Sequence, residues 1–431
     1  MRLIQPDPQV KPVLALQADD QPPLPPEPIP SGESAPNQSG ITLEELQGIA
    51  LANNPTLAQA AARVDAARGR WVQAGLYPNP SIGYIADEIG MVGRAGMQGF
   101  GFTQEIVRGG KLGLDRAAAS QEIAQAEQQL AAQRQRVLND VQTQFYSLLV
   151  AQRTMQLSDE LAELAKRGLE TAEQLFNPPV MLVSGVDVQQ AKIELSMAHL
   201  ASAAARNQYE KLWRSLAASV GAPQMQPMTA IGSLEVAEVE LSWSESLSRL
   251  LAASPELAAA RAAAARASWV IARARAEPIP NLNVQASVQH DNEGGDDVAN
   301  VMVMFPLTIH DKNQGAIRAA VAERREAQAE IARLELALQT RLAAAFERYS
   351  NARTQVDRYS REMLPAARTS LDLVTRGYRN GESPYLTLLE AQRTLSRTNL
   401  AYLSALEQLW ASKTAIEGLL LSDGLQMPSG R

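Results

Sequence analysis

The chain repeats itself at a distance of 200 residues. Leu51-Ala52-Asn53-Asn54-Pro55-Thr56-Leu57 aligns with Leu251-Ala252-Ala253-Ser254-Pro255-Glu256-Leu257, an offset of 257 − 57 = 200. Pro78 and Pro80 pair with Pro278 and Pro280, and Ala191 with Ala391, at the same offset. Gly113 and Gly315 stand 315 − 113 = 202 apart, so small insertions compensate one another. Several matches in order at nearly constant spacing mark a duplication, and a unit of about 180 residues is far longer than a solenoid repeat. The chain therefore reads as two similar halves of one architecture, 41–221 and 241–421. A connector at 222–240 carries Pro223, Pro227 and Gly232. Residues 1–40, rich in Pro, Gln and Ser, read as an extended tether, and 422–431 as a tail.

Each half predicts the same succession of elements. A first helix spans Leu43–Leu76 or Ser244–Ala276, broken and restarted where Asn54 or Ser254 caps a helix with Pro55 or Pro255 at its first position. The paired prolines then stop it. Asn281-Leu282-Asn283-Val284-Gln285-Ala286-Ser287-Val288-Gln289 alternates polar and apolar, which is a strand with one face of each kind. Ile82, Tyr84 and Ala86 hold the matching apolar positions of the first half. Second strands are expected at Gln98–Val107 and Asn300–Ile309, giving one β-hairpin per half, 81–107 and 281–309.

A long helical pattern follows the hairpin, Leu112–Phe176 or Gln314–Tyr378. Ile331, Leu334, Leu338, Leu342, Ala345 and Tyr349 are spaced 3, 4, 4, 3 and 4. About 65 helical residues rising about 1.5 Å each make a rod of about 100 Å. A turn and a return helix, Val186–Val220 or Tyr385–Leu420, complete a long antiparallel hairpin with alanine-rich seams. The fold class is thus mainly α with a small β part.

The polar face of the hairpin strand is Asn, Asn, Gln, Ser and Gln, without the Lys and Glu of a solvated sheet. Uncharged polar residues on one side, apolar residues on the other and strands of about ten residues match the wall of an outer-membrane barrel. Ile82, Tyr84, Leu282, Val284 and Val288 are the candidate lipid-facing residues, with Asn283, Gln285 and Ser287 facing a lumen. Four strands cannot close a barrel, and an open edge in lipid leaves backbone groups unpaired. Two copies give eight strands and an interior filled by side chains; three give twelve and leave room for water. The competing expectation is a soluble periplasmic coiled-coil scaffold or adaptor that carries a small β-domain.

Composition removes other classes. A net charge of −7 argues against a nucleic-acid partner. The absence of cysteine excludes disulfides, thiolate metal sites, cysteine nucleophiles and cysteine lipidation in the chain as it stands. Three dispersed histidines offer no histidine-rich metal site, and no catalytic constellation is evident: Ser184 and Ser383 have no neighbouring His. Gly109-Gly110-Lys111 begins like a phosphate loop but lacks the full glycine pattern and the hydroxyl residue after the lysine. No catalytic residue, metal ligand or cofactor is expected. Val13–Leu16 is too short for the apolar core of a secretory signal.

Two tip segments carry a resemblance to a known family. Tyr378-Arg379-Asn380-Gly381-Glu382-Ser383-Pro384-Tyr385-Leu386-Thr387-Leu388-Leu389-Glu390-Ala391 is similar to a motif of Tyr-x-x-Gly, a hydrophobic stretch, an acid and alanine. Ser184-Gly185-Val186-Asp187-Val188-Gln189-Gln190-Ala191 is its counterpart, departing in having Met181 where the motif has glycine. With the duplicated helix–hairpin–helix plan, these segments resemble the TolC family of outer-membrane efflux channels over about 41–421. Phe305-Pro306-Leu307 to Gly315 and Gln392-Arg393-Thr394-Leu395 resemble its heavy-metal (CzcC-type) branch.

The resemblance implies a homotrimer with a 12-stranded barrel in the outer-membrane lipid and a 12-helix α-barrel in the periplasm. It implies tips that dock on a periplasmic adaptor (membrane fusion) protein joined to an inner-membrane pump of the RND type. Ser184, Gly185, Asn380, Gly381 and Ser383 are the implied docking residues. Glu390 matches an acid lining the constriction, with Thr387 one turn earlier on the same face, and Tyr378 and Asp187 match residues that tie the two halves together. Many relatives carry a signal and a lipidated cysteine; their absence here points to a missing or misassigned start rather than a cytoplasmic protein.

Overall fold

The computed structural model describes residues 40–90, 96–177, 184–235, 240–380 and 382–425. The expected tether, Met181 and Gly381 lie outside the described residues. From Gly40 onward the chain forms one compact unit, and no helix among the described residues is long and apolar enough to cross a membrane.

Helices α1 (Leu43–Asn53) and α2 (Pro55–Ala74) open the first half. Asn54 ends one and caps the other: its Oδ1 accepts from the Thr56 N–H at 3.0 Å, satisfying a backbone donor that the first turn leaves unpaired. Ser254 does the same between α5 (Trp243–Ala253) and α6 (Pro255–Ala276). The first half continues with strands β2 (Ser81–Asp87) and β3 (Met97–Ile106), rod α3 (Lys111–Phe176) and return helix α4 (Gly185–Ser219). The second half has β5 (Leu282–Asp291), β6 (Asp297–Met304), α7 (Gln314–Arg358), a π-helical segment Tyr359–Met363, α8 (Leu364–Arg379) and α9 (Tyr385–Glu417).

Two expectations are corrected, and the start of the tail is located. The hairpin expected at 281–309 stops earlier, because β6 ends at Met304, where Phe305-Pro306 follows and proline has no N–H for the ladder. The second rod is not one α-helix but is interrupted at Tyr359–Met363. The tail is pinned as far as it is described: Asp140 accepts from the backbone N–H groups of Asp423 and Gly424, and the Gly424 carbonyl accepts from Gln133 and Thr56.

Two cores lie at equivalent places near the roots of the rods. Leu46, Val137, Val141, Phe145, Leu148, Trp213 and Leu216 fill the first. Leu250, Leu257, Leu338, Leu342, Tyr349 and Leu409 fill the second. A parallel pairing of β1 (Gly40–Ile41) with β4 (Thr229–Ala230) ties the start of the first half to the connector.

Candidate channel wall and tip constriction

The two hairpins join into one antiparallel sheet in the order β2-β3-β5-β6, with β3 and β5 paired across the halves. Only glycine fits at Gly99, where a Cβ would run into the Val288 carbonyl of β5. β2 and β6 are the sheet's edges, each with a partner on one side only among the described residues.

Register assigns every side chain to a face, because directly opposed residues of an antiparallel pair point the same way. Tyr84, Phe100, Val288 and Ala299 form one row, and Ile82, Phe102, Ala286 and Val301 the next. Val284 with Val303 and Leu282 with Ile106 continue the same face. It is open to solvent in the single chain: Ile82 is 77% exposed, Phe100 68% and Val301 76%. The opposite face carries Gly83, Gly101, Ser287 and Asn300 in one row and Thr103, Gln285 and Met302 in another. All five candidate lipid-facing residues, Ile82, Tyr84, Leu282, Val284 and Val288, therefore share one apolar face. Asn283, Gln285 and Ser287 share the other. The chemistry of the two surfaces suits hydrocarbon on one side and water on the other.

Polar bonds stiffen both ends of this wall. Near the turns, buried Gln289 donates to Asp87 Oδ2 at 2.7 Å. Asp297 Oδ1 lies 2.9 Å from His290 Nδ1, and Asp291 Oδ1 accepts the Glu293 N–H at 3.0 Å. Several carboxylates of the acidic turn are thus engaged in holding it. Among the described residues no group of three or more side chains is disposed to hold a metal ion. Where the sheet meets the rods, Lys111 is buried; its Nζ donates to Asn281 Oδ1 at 3.1 Å, and Asn281 Nδ2 donates to Glu105 Oε1 at 2.7 Å. The Gly109-Gly110-Lys111 segment serves here as the strand-to-helix turn, with Gly110 left-handed at φ 67° as the rod's cap.

At the far end of the rods, Ala172, Val188, Ala191, Tyr378, Tyr385, Leu388 and Leu389 form a small core that joins the tips of the two halves. Ser184 caps α4, and Asp187 reaches back so that its Oδ2 accepts from the Ser184 N–H and hydroxyl, both at 2.9 Å. This capping box occupies Asp187. The Tyr378 hydroxyl is buried without a hydrogen-bond partner, so the expected bond between Tyr378 and Asp187 is not formed in this conformation. Burial and the nearby Asp187 carboxylate raise the Tyr378 phenol above its ordinary value. The Tyr385 phenol is pushed up to about 12, first by burial and then by Glu194, Tyr378 and Asp187 against the opposing effect of Arg393.

Thr387 and Glu390 lie on the exposed face of α9, opposite buried Leu388 and Leu389. Asn380 ends α8 and is exposed; Ser383 packs so closely on Gly377 that a Cβ there would strike its hydroxyl. Gly185 starts α4 beside the Phe176 ring. One feature is invisible from spacing: Arg393 of α9 pairs with Glu194 of α4 at 2.7 Å, beside Tyr385, and ties the halves together. The two residues lie 199 positions apart, and only the packed helices bring them together.

The family model for outer membrane efflux proteins matches residues 46–222 and 246–420, once on each half. The chain is 29% identical over 382 residues to the cobalt-zinc-cadmium resistance protein CzcC of Cupriavidus metallidurans, covering 88% of this chain and 90% of that protein. It is 25% identical over 298 residues to the outer membrane efflux protein BepC of Brucella suis, covering 66% and 64%. Among solved structures, CusC superposes with a TM-score of 0.75 at 17% identity, covering 88% of this chain and 92% of that one. VceC of Vibrio cholerae superposes with a TM-score of 0.71 at 18% identity, covering 88% and 96%.

Proposed function

The chain belongs to the outer membrane efflux protein family, and on that premise we propose that three copies form the exit duct of a tripartite efflux system. The sheets close a barrel in the outer membrane and the rods enclose a tunnel across the periplasm. The tips, with Ser184, Gly185, Asn380, Gly381 and Ser383, dock on a periplasmic adaptor that joins an inner-membrane pump of the RND type. Conduction is passive, with energy supplied by the pump. The likeness to a cobalt-zinc-cadmium resistance protein supports divalent heavy-metal cations as the cargo. Three copies of Glu390 around one axis suit such a cation, since carboxylates that repel one another are relieved by a positive charge between them.

The observation that carries this reading is the four-stranded sheet with one exposed apolar face and two single-sided edges. A soluble scaffold has no use for that face. In lipid the edges must pair, and copies of the same chain are the simplest partners. Three sheets of four strands supply twelve, wide enough for a wet lumen lined by Asn283, Gln285, Ser287 and Asn300. Chemical cross-linking of the detergent-extracted protein is expected to stop at three times the 46.6 kDa chain. The trimer should conduct in planar bilayers, with block by divalent cations weakened in Glu390→Gln. A monomer that fractionates without detergent and never conducts refutes the duct.

A further inference from the structure

The two rods are not equivalent. Buried positions of α3 and α7 correspond at an offset of 201: Val137 with Leu338, Val141 with Leu342, Leu148 with Tyr349 and Ala151 with Ala352. Further down, the buried pairs Ala162 with Leu364 and Ala165 with Ala367 stand at 202. Leu169 and Leu371, which pack together into the tip core, also stand at 202. One residue has therefore been added to the second rod between Ala352 and Leu364. It is absorbed by the π-helical segment Tyr359–Met363, where the Leu364 N–H donates to the Tyr359 carbonyl, five residues back. The corresponding stretch of α3 is uninterrupted α-helix.

We propose that Tyr359–Met363 is a joint about which α8 moves against the rest of the bundle, resetting the tip residues at its end. This rests on the duct reading only for its purpose; the joint itself is a property of the chain. A π segment breaks the regular ladder and concentrates bending at one place. Pro365, one residue beyond, lacks an N–H, so the next turn cannot repair the ladder. None of the five residues of the segment is buried within the single chain. A cavity of about 490 Å³, lined by Leu149, Gln152, Leu157, Leu364, Arg368 and Tyr402, lies beside the start of α8 and leaves room for movement. α8 packs chiefly on α9, and its last turn carries Tyr378, whose buried hydroxyl has no partner here. Native structures seldom leave such a group unpaired, and a second position of α8 gives it the chance to bond.

Hydrogen–deuterium exchange on the full trimer in detergent tests the joint. Amides of 355–366 should exchange about tenfold or more faster than those of 154–164 in α3, because local opening there is easier. Deleting Ser360 should restore a continuous helix without changing the facing of any core residue, since both flanking registers already match the first half. The deletion variant should assemble as wild type and lose the excess exchange. Pro365→Ala should remove part of it. Equal exchange in the two wild-type segments, a deletion variant that cannot assemble, or one that assembles and still exchanges fast would each overturn the joint. These readouts do not require conduction, so failure of the duct shows separately, as an absence of conductance in every variant.

Discussion

The first and second halves share a plan yet divide the work unequally. The first rod runs unbroken from Lys111 to Phe176 and its return helix begins with a complete capping box at Ser184 and Asp187. The second rod is interrupted at Tyr359–Met363, and its return helix begins at Pro384 with no side-chain cap. The second half also carries Tyr378 and Tyr385 of the tip core and Arg393, which pairs with Glu194 across the halves. The difference teaches that duplication preserved much of the packing seams, where Val137, Val141, Leu148 and Ala151 have buried counterparts in Leu338, Leu342, Tyr349 and Ala352. Local stiffness was free to diverge, leaving the first half as frame and the second as the more adaptable member.

The largest expected effects fall on the shared cores. Leu338→Ala should cost about 2–5 kcal/mol, and Val137→Ala, at the equivalent position, less, since fewer buried atoms are lost. Denaturant unfolding of the detergent-solubilised protein measures both, and a reversed order breaks the equivalence of the halves. Next comes the wall. Val284→Arg places a charge on the apolar face, costing about 2–4 kcal/mol near the bilayer midplane, and should abolish trimers in membranes. Asn283→Arg should leave assembly intact and alter conductance; equal assembly defects contradict the assigned faces.

The tip supplies smaller effects. The Tyr385 phenol is held up to about 12 in the folded chain, above an ordinary value near 10. A raised folded value contributes stability that is complete below pH about 10 and is lost as pH rises towards about 12. The raised Tyr378 acts in the same direction. Tip protection followed by hydrogen exchange should fall through this window, and Tyr385→Phe should flatten the fall. Smallest is the cap: Ser184→Ala should cost about 1 kcal/mol, seen as faster exchange at the start of α4. Pro384→Ala should leave the start of α9 without a comparable loss, because no side-chain bond is removed.

The duplication, the hairpins and the long rods were legible because they rest on period and punctuation. The apolar face of the wall was legible because strict alternation in 281–289 leaves one assignment, and the register then extends it to Phe100, Val301 and Val303. The extent of β6 was not: Val301, Val303, Phe305, Leu307 and Ile309 keep an apolar pattern through Pro306, yet the ladder stops at Met304. The interruption in the second rod was hidden because one added residue leaves the apolar spacing intact on either side. The Lys111–Asn281–Glu105 bonds and the Glu194–Arg393 pair join residues from opposite halves, whose proximity depends on helices and strands being already packed. The resemblance points to Tyr378 and Asp187 as a tie between the halves, but the capping box competes for the same carboxylate, and only geometry shows which bond Asp187 makes here.

The central claim is that one face of the four-stranded sheet meets lipid and the other meets water. The chain has no cysteine, so single cysteines can report on it without a background signal. Asn283→Cys, Gln285→Cys and Ser287→Cys, against Val284→Cys, Ala286→Cys and Val288→Cys, should be assembled in lipid membranes and exposed to a water-soluble maleimide. Modification is expected at 283, 285 and 287, with 284, 286 and 288 protected until detergent is added. Loss of the alternation, or its inversion, would contradict it.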